Sequence, residues 1–287
     1  MMLAVSIVIP TYNEEKNIGK CLGSILNGSE MPFEIIVADG GSNDSTLAIA
    51  QSFDVEVVNN PKRHAAGGRN AGIEVASGDV VAFIDADCFA EADWVREIRK
   101  SFEHGDIDGL GTKIEPAECV NEYDRFWSHL NYRILWSYGD EEYYVKNKSL
   151  REAFVTASCA YKKDLLVRLG GFSDWFANNA EDIDLCWRAF DLGAKLKYEP
   201  RALIYASSPS TLKGIRKKSF RNGISSSKLQ KVYGGRINFD IQIYKQLGQN
   251  LCRALSRQPD ARLYVYELFW HLLGKYWGSL KVGVVNV

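Results

Sequence analysis

Paired cysteines, histidine, proline and long apolar runs are all scarce in this chain, and each shortage closes off a class of protein. The six cysteines, at 21, 88, 119, 159, 186 and 252, form no Cys-x-x-Cys and no Cys/His spacing suited to zinc. They read as small buried hydrophobes in a reducing compartment. The four histidines (64, 104, 129 and 271) show no Ser/His/Asp constellation. With seven prolines and 46% hydrophobic residues, disorder and collagen-like repeats are excluded. No run of about 18 uncharged apolar residues occurs, so no ordinary membrane span is expected. The nearest stretch, Leu263–Val285, is broken by Glu267, His271, Lys275 and Lys281. Met1–Pro10 is apolar without a basic leader or a small-residue cleavage site, so a strand is expected there rather than a signal peptide. A net charge of −1 argues against wholesale nucleic-acid binding. The charge is unevenly spread, however: Ser210–Arg236 holds eight Lys/Arg and no Asp or Glu, leaving 27 basic against 36 acidic residues elsewhere.

What is present alternates strand and helix. Leu3–Ile9 is a β-branched run ended by Pro10. Ile18, Cys21, Leu22, Ile25 and Leu26 fall at i, i+3, i+4, i+7 and i+8, the spacing of an amphipathic helix. Glu34–Ala38 predicts a strand running into Asp39, with Ser42 as N-cap of a helix through Phe53. Strands at Val55–Val58 and Val80–Ile84 flank a Gly-rich helix start at Ala66–Asn70. Continuous apolar strands separated by helices imply a parallel sheet covered on both faces. Right-handed crossovers then bring Pro10, Asp39 and Asp85 to one edge, where open α/β sheets bind ligands. Further on, strands are expected at Gly109–Ile114 and at Lys195–Glu199, the latter stopping at Pro200. Helices are expected at Tyr123–Trp136, Asp182–Leu192, Ile241–Leu255 and Arg262–Lys281.

Three Asp-x-Asp pairs occur, but only Asp85-Ala-Asp87 directly follows a buried strand. There one carboxylate can hold a metal and the other accept from a sugar hydroxyl, and solvated acids at a strand end explain the same pair. Asp39 opens Asp-Gly-Gly-Ser-Asn-Asp44; it can accept the N–H of a pyrimidine base or close an Asx turn. Gly67-Gly68-Arg69-Asn70 resembles a phosphate-approach loop, yet GxxxxGK[ST] and GxGxxG are missing.

Taken in order, Val5–Glu14, Ile35–Asp44, Arg69–Gly72, Gly78–Asp87 and Gly170-Gly-Phe with Ala180-Glu-Asp-Ile-Asp184 resemble the signature of family 2 glycosyltransferases. The likeness covers about residues 3–205. It implies the GT-A fold, a Rossmann-like nucleotide-binding α/β domain with a mostly parallel sheet. It also implies a Mg²⁺ or Mn²⁺ cofactor and inversion at the anomeric carbon. Under that likeness Pro10 belongs to the donor site, Tyr12 stacks on the base, and Asp39 pairs with it, suggesting uridine. Glu14 matches the acid near the ribose, Arg69 faces the base or the diphosphate, Asp85 holds ribose hydroxyls and Asp87 ligates the metal. Asp182 matches the general base, with Glu181 near the acceptor or orienting that base. An acidic helix start favoured by the macrodipole is the alternative account of Glu181 and Asp182, though not of their position after Gly170-Gly171-Phe172. Many relatives have a His after the following strand; Ile204-Tyr-Ala-Ser-Ser208 has none, and Gly40 stands where many have a second Asp.

The expectation is therefore a glycosyltransferase domain over 1–209, moving a sugar from a nucleotide sugar, UDP-linked, to a sugar, lipid-linked or other hydroxyl acceptor in polysaccharide or glycoconjugate synthesis. A basic loop and helical extension occupy 210–287. A non-catalytic nucleotide-sugar-binding scaffold is the alternative. A sugar-1-phosphate nucleotidyltransferase would need a Gly-rich loop where Pro10-Thr-Tyr-Asn13 stands. Similar proteins close a basic loop over the diphosphate, which gives Lys218 and Arg221 that role here. An anionic membrane surface, and after it a plain solvated face, are the competing readings of these charges. In the last helix Glu267, His271 and Lys275 form a narrow polar stripe, with His271 a helix-surface partner of Glu267. Packing on its own domain or a homodimer contact is the expected role of this helix, with a lipid interface the alternative; the expected location is cytoplasmic, at the inner face of the membrane in the last case.

Overall fold

The computed structural model describes residues 3–130, 139–177, 179–234 and 261–284. The expected helix at Ile241–Leu255 and the far end of Tyr123–Trp136 lie outside them. The chain forms two compact units, one of residues 1–117 and 136–207, the other of 118–135 and 208–287.

The first unit is built on one mixed sheet. Its opening half follows the expected alternation: β1 (Val5–Thr11), α1 (Ile18–Leu26), β2 (Glu34–Asp39), α2 (Thr46–Gln51), β3 (Glu56–Asn59), α3 (Ala65–Val75) and β4 (Val80–Ile84). There follow β5 (Cys88–Ala90), α4 (Trp94–His104), β6 (Gly109–Pro116), β7 (Tyr143–Tyr144), β8 (Ser158–Lys162), α6 (Lys163–Leu169), α7 (Glu181–Asp191) and β9 (Leu196–Ala206), α5 belonging to the other unit. The sheet order is β3-β2-β1-β4-β8-β6-β9-β5, with β7 on β9. β1, β2, β3, β4, β6 and β9 run one way; β5, β7 and β8 oppose them. Every residue of β4 is buried, as the continuous apolar run demands.

One expectation is corrected. β9 does not stop at Pro200: the register against β6 slips between Thr112 and Lys113, and the bulge carries the proline through the strand. Buried Glu199 beside it is held by Arg201 and Lys197, which push its carboxyl down to about 2 against the cost of burial. The Gly-rich start of α3 is the expected helix start, and it is a packing face. A Cβ on Gly72 would lie 2.8 Å from Val8 Cγ2, and one on Gly68 3.0 Å from Pro10 Cβ. The glycines let α3 lie directly on β1.

The second unit contains α5 (Glu122–Ser128), α8 (Leu212–Tyr233) and α9 (Ala261–Val282). α5 starts on a capping box: the Asn121 side chain accepts from the Tyr123 and Asp124 amides, and Asp124 accepts from the Asn121 amide. Phe126, Trp127, Leu130, Ile215 and Tyr264 form its core. The basic segment expected as a loop is the long helix α8, capped by Thr211, whose hydroxyl accepts from the Gly214 amide at 3.1 Å. Its serines and glycines are seam residues. Ser227 donates to the Lys275 carbonyl, and a Cβ on Gly223 would lie 2.6 Å from the Lys275 nitrogen. Along α8, Ser219, Gly223, Ser227 and Lys231 meet Glu267, His271, Lys275 and Val282 of α9, so the two helices run parallel.

Candidate functional site

The C-terminal edge of the parallel strands carries two interlocked loops. β1 and β2 pair in register to Thr11–Asp39. Beyond that pair the Asn13 amide donates to Ser42 Oγ at 2.8 Å, the Asn43 amide to Asn13 Oδ1 at 2.9 Å, and the Glu14 amide to Thr46 Oγ1 at 2.7 Å. Asn13 takes a left-handed φ of 55°, which an Asn tolerates best among side-chain-bearing residues. Pro10 sits in β1 opposite Ala38, and the ring of Tyr12 is left exposed. Asp39 is buried and closes an Asx turn. Its carboxylate accepts from the Gly41 and Ser42 amides at 2.8 and 2.9 Å and from the Ser42 hydroxyl at 2.5 Å. Ser42 therefore belongs to this turn, and Ser45 stands at the N-cap position of α2.

Arg69 organises the other half of the edge. It projects from α3, its guanidinium enclosed, 5.6 Å from the Phe172 ring centroid. Nη1 donates to Glu181 Oε1 at 2.8 Å and Nη2 to Asp85 Oδ1 at 2.6 Å. The family likeness put Arg69 against the base or diphosphate. The enclosed fork ties the end of β4 to the start of α7, because two carboxylates there would otherwise stand without a countercharge. The next residue completes the tie. Asn70 donates to the Phe172 carbonyl at 2.9 Å and accepts from the Phe172 amide at 2.8 Å. Arg188 adds bonds to the Leu169 and Gly171 carbonyls and to Asp184. Sequence reading missed Asn70 and Arg188 as positioning residues. The only signal was the sequence adjacency of Asn70 to Arg69.

Asp85 and Asp87 follow β4, both partly exposed. Two thiols lie beneath them. Cys21 Sγ donates to the Asp85 carbonyl and Cys88 Sγ to Asp87 Oδ1, each at 3.7 Å. Burial and then the neighbouring acids, Asp87 first, push both thiols well above their ordinary range, and Glu14 adds to the effect on Cys21. They stay protonated, so the carboxylate oxygens rather than the sulfurs are the atoms that could ligate a metal here. Among the described residues no three His, Cys, Asp or Glu form a metal cage. The Asp87 carboxylate beside an arginine-bound Asp85 is a hard-oxygen donor set. It fits a Mg²⁺ or Mn²⁺ ion that brings phosphate and water oxygens with it.

α7 begins with Glu181 and Asp182 after Ala180, whose φ of 69° is unusual for a residue with a Cβ. Arg69 caps Glu181, whose carboxyl burial pushes up against that arginine's pull. Asp182 accepts from the Ile183 amide at 2.8 Å. Desolvation first and the Glu181 charge second push its carboxyl up to about 7. Arg69 thus gathers Asp85 and Glu181, with Asp182 near enough to feel its charge and Asp87 two residues past Asp85. Lys218 and Arg221 belong to the second unit, on α8: the Lys218 ammonium lies 5.5 Å from the Trp127 ring centroid and Arg221 is exposed.

A family model described as Glycosyl transferase family 2 matches residues 6–170. The chain belongs to that family. It is 27% identical over 207 residues to glycosyltransferase AglE of Haloferax volcanii, a match covering 68% of this chain and 64% of AglE, under two thirds of that protein's length. Among solved structures it resembles the mannosyltransferase PcManGT of Pyrobaculum calidifontis in complex with GDP-Man and Mn²⁺. The TM-score is 0.59 at 17% identity, over 100% of this chain and 77% of that one. Glucosyl-3-phosphoglycerate synthase of Mycobacterium tuberculosis, with Mn²⁺, UDP and glucosyl-3-phosphoglycerate, gives 0.57 at 19% identity, over 80% and 79%. These likenesses show the family's GT-A fold. The mixed sheet of the first unit is its core.

Proposed function

We propose that this family 2 glycosyltransferase moves one sugar from a UDP-linked donor to an acceptor hydroxyl with inversion, using Asp182 as general base. The observation that carries the reading is the Asp182 carboxyl, pushed up to about 7 at a site where Arg69 gathers Asp85 and Glu181. A base matched to neutral pH takes a hydroxyl proton as the new bond forms. The acceptor oxygen bonds to the anomeric carbon, the bond from that carbon to the diphosphate oxygen breaks, and the nucleoside diphosphate leaves with the electron pair. The proton rests on Asp182. One base and in-line geometry suffice, so no protein nucleophile is required.

Asp39 is the residue assigned to the base N–H, since its Oδ1 keeps accepting capacity beyond the Ser42 hydroxyl. Tyr12, which is exposed, offers a stacking face, and Glu14 and Asp85 are the residues assigned to the ribose. Asp87 would hold Mg²⁺ or Mn²⁺, which when bound neutralises charge developing on the leaving diphosphate. The solved neighbours named above carry Mn²⁺ with GDP-Man or with UDP, which supports a cation and leaves the base to experiment. Peripheral attachment to a membrane through residues 210–287 belongs to the same reading.

Asp182→Asn should lower transfer by about a hundredfold or more while nucleotide with Mn²⁺ still binds. The wild-type rate should fall about tenfold per pH unit below about 7 as Asp182 protonates, and level off above it. Equal turnover of Asp182→Asn, or a profile flat through neutrality, refutes the base. Thermal shifts with UDP-, GDP- and dTDP-sugars, with and without Mn²⁺, test the donor. Stabilisation by GDP-sugars alone removes the role given to Asp39. Nucleotide binding without transfer or hydrolysis across donors would leave the scaffold reading.

A further inference from the structure

We propose that the second unit docks on a membrane leaflet containing anionic lipid, through the outward face of α9 and the cations beside it. The proposal deepens the peripheral attachment named above and rests on it. α9 is inside out for a helix in water. Glu267, His271 and Lys275 face α8 at a seam of small residues, with His271 and Lys275 only 7% and 8% exposed. The stripe that the sequence placed on a helix surface is therefore interior. Phe269, Tyr276, Trp277 and Leu280 look outward instead, at 57%, 65%, 49% and 62% exposure, with Leu273 between them. They fall at i, i+4, i+7, i+8 and i+11, a single face.

A helix against water turns its charges out and its aromatics in. Small residues at the seam with apolar side chains outside is the pattern of helices whose surroundings are lipid. Gly274 and Gly278 supply it here: a Cβ on Gly278 would lie 2.9 Å from Ile224 Cα. No helix among the described residues is long and apolar enough to cross a membrane, so α9 would lie in the interface along its length of about 33 Å. Tyr276 and Trp277 suit headgroup depth, each with an apolar body and a polar tip.

The charge beside this face selects the lipid. The Arg216 guanidinium lies 5.2 Å from the Trp270 ring centroid and the Lys281 ammonium 5.4 Å from that of Trp277. Lys213 and Lys217 are exposed on α8, in a segment with no Asp or Glu from Ser210 to Arg236. Two copies of this chain meeting face to face would bring these cations together, and the one acid of α8 and α9, Glu267, is turned into the seam against Ser219. A surface of anionic headgroups complements them.

The test is cosedimentation of the full chain, without donor or acceptor, with phosphatidylcholine vesicles and with vesicles three parts phosphatidylcholine to one part phosphatidylglycerol. The chain should pellet with the anionic vesicles and be released by salt. Tyr276→Ser with Trp277→Ser should weaken that binding about tenfold or more. Arg216→Gln with Lys217→Gln should weaken it about tenfold on anionic vesicles only. These side chains are exposed, so helicity and thermal midpoint should hold; if the aromatic pair fails to fold, Leu280→Ser and the charge pair carry the test. Absence of binding to anionic vesicles, or binding unchanged in the variants, overturns the proposal. So does a wild-type dimer in sedimentation velocity that Tyr276→Ser with Trp277→Ser dissolves. Nucleotide-sugar binding is measured separately without lipid, so either reading can fail while the other stands.

Discussion

Arg69 shows how far one side chain reaches. Its two Nη atoms hold Glu181 and Asp85, and its charge also lowers the Asp182 carboxyl against burial. Arg69→Met would leave two acids without their countercharge, at a cost of about 3–5 kcal/mol in urea unfolding. It should also move the acid limb of the pH–rate profile upward, because Asp182 loses a neighbour that favours its anion. A lower stability with an unmoved limb would make Arg69 purely structural. At this scale the sequence singled out the residue, and the fold supplied its partners. Its adjacency to Asn70 and its motif were legible, but not that the guanidinium is enclosed by carboxylates from two distant segments. Asp39 is the reverse case: the Asx turn was one of its two readings from local sequence alone, since the bonds it makes are to residues two and three along.

At the scale of elements, periodicity carried α1, α7, β1, β2 and β4. β8 escaped it: Ser-Cys-Ala-Tyr-Lys has no distinct period, and only pairing between β4 and β6 makes it a strand. The α8–α9 pair escaped differently. Gly223 and Ser225–Ser227 suggest a mobile loop from sequence, because short side chains serve turns, yet here shortness lets two backbones approach. Gly223→Ala should therefore destabilise the second unit by about 1–3 kcal/mol or more, since the added Cβ meets the α9 backbone rather than a side chain that could move. Hydrogen exchange of α8 and α9 amides checks this: increased exchange confined to those helices is expected, and an unaltered pattern would show that the seam has room.

For the whole molecule, raised carboxyls set the direction of the pH response. Asp182 and Glu267 are each pushed up to about 7 by burial, and Glu181 is pushed up as well. A carboxyl raised in the fold contributes stability below its unfolded pKa, and that contribution is lost as pH rises through the folded value. Glu199, held down to about 2, acts oppositely and only in acid, losing its contribution as pH falls toward that value. The thermal midpoint should thus be higher near pH 5 than near pH 8. Asp182→Asn with Glu267→Gln should flatten the difference; a midpoint rising steadily to pH 8 in the wild type would contradict the burial of these groups. The charge skew between 210–236 and the rest was plain from composition, because counting needs no coordinates.

The sequence by itself determined the alternation of strands and helices, the edge on which Pro10, Asp39 and Asp85 fall, and the ordered motifs of the family. Each of these depends on residues close together in the chain. Only the tertiary structure decided that Arg69 joins β4 to α7, that the glycines of α3 and α8 are contact surfaces, and that the polar stripe of α9 faces inward. Those outcomes depend on what lies across a seam, and a periodic pattern of residue types marks a face without saying which side water is on.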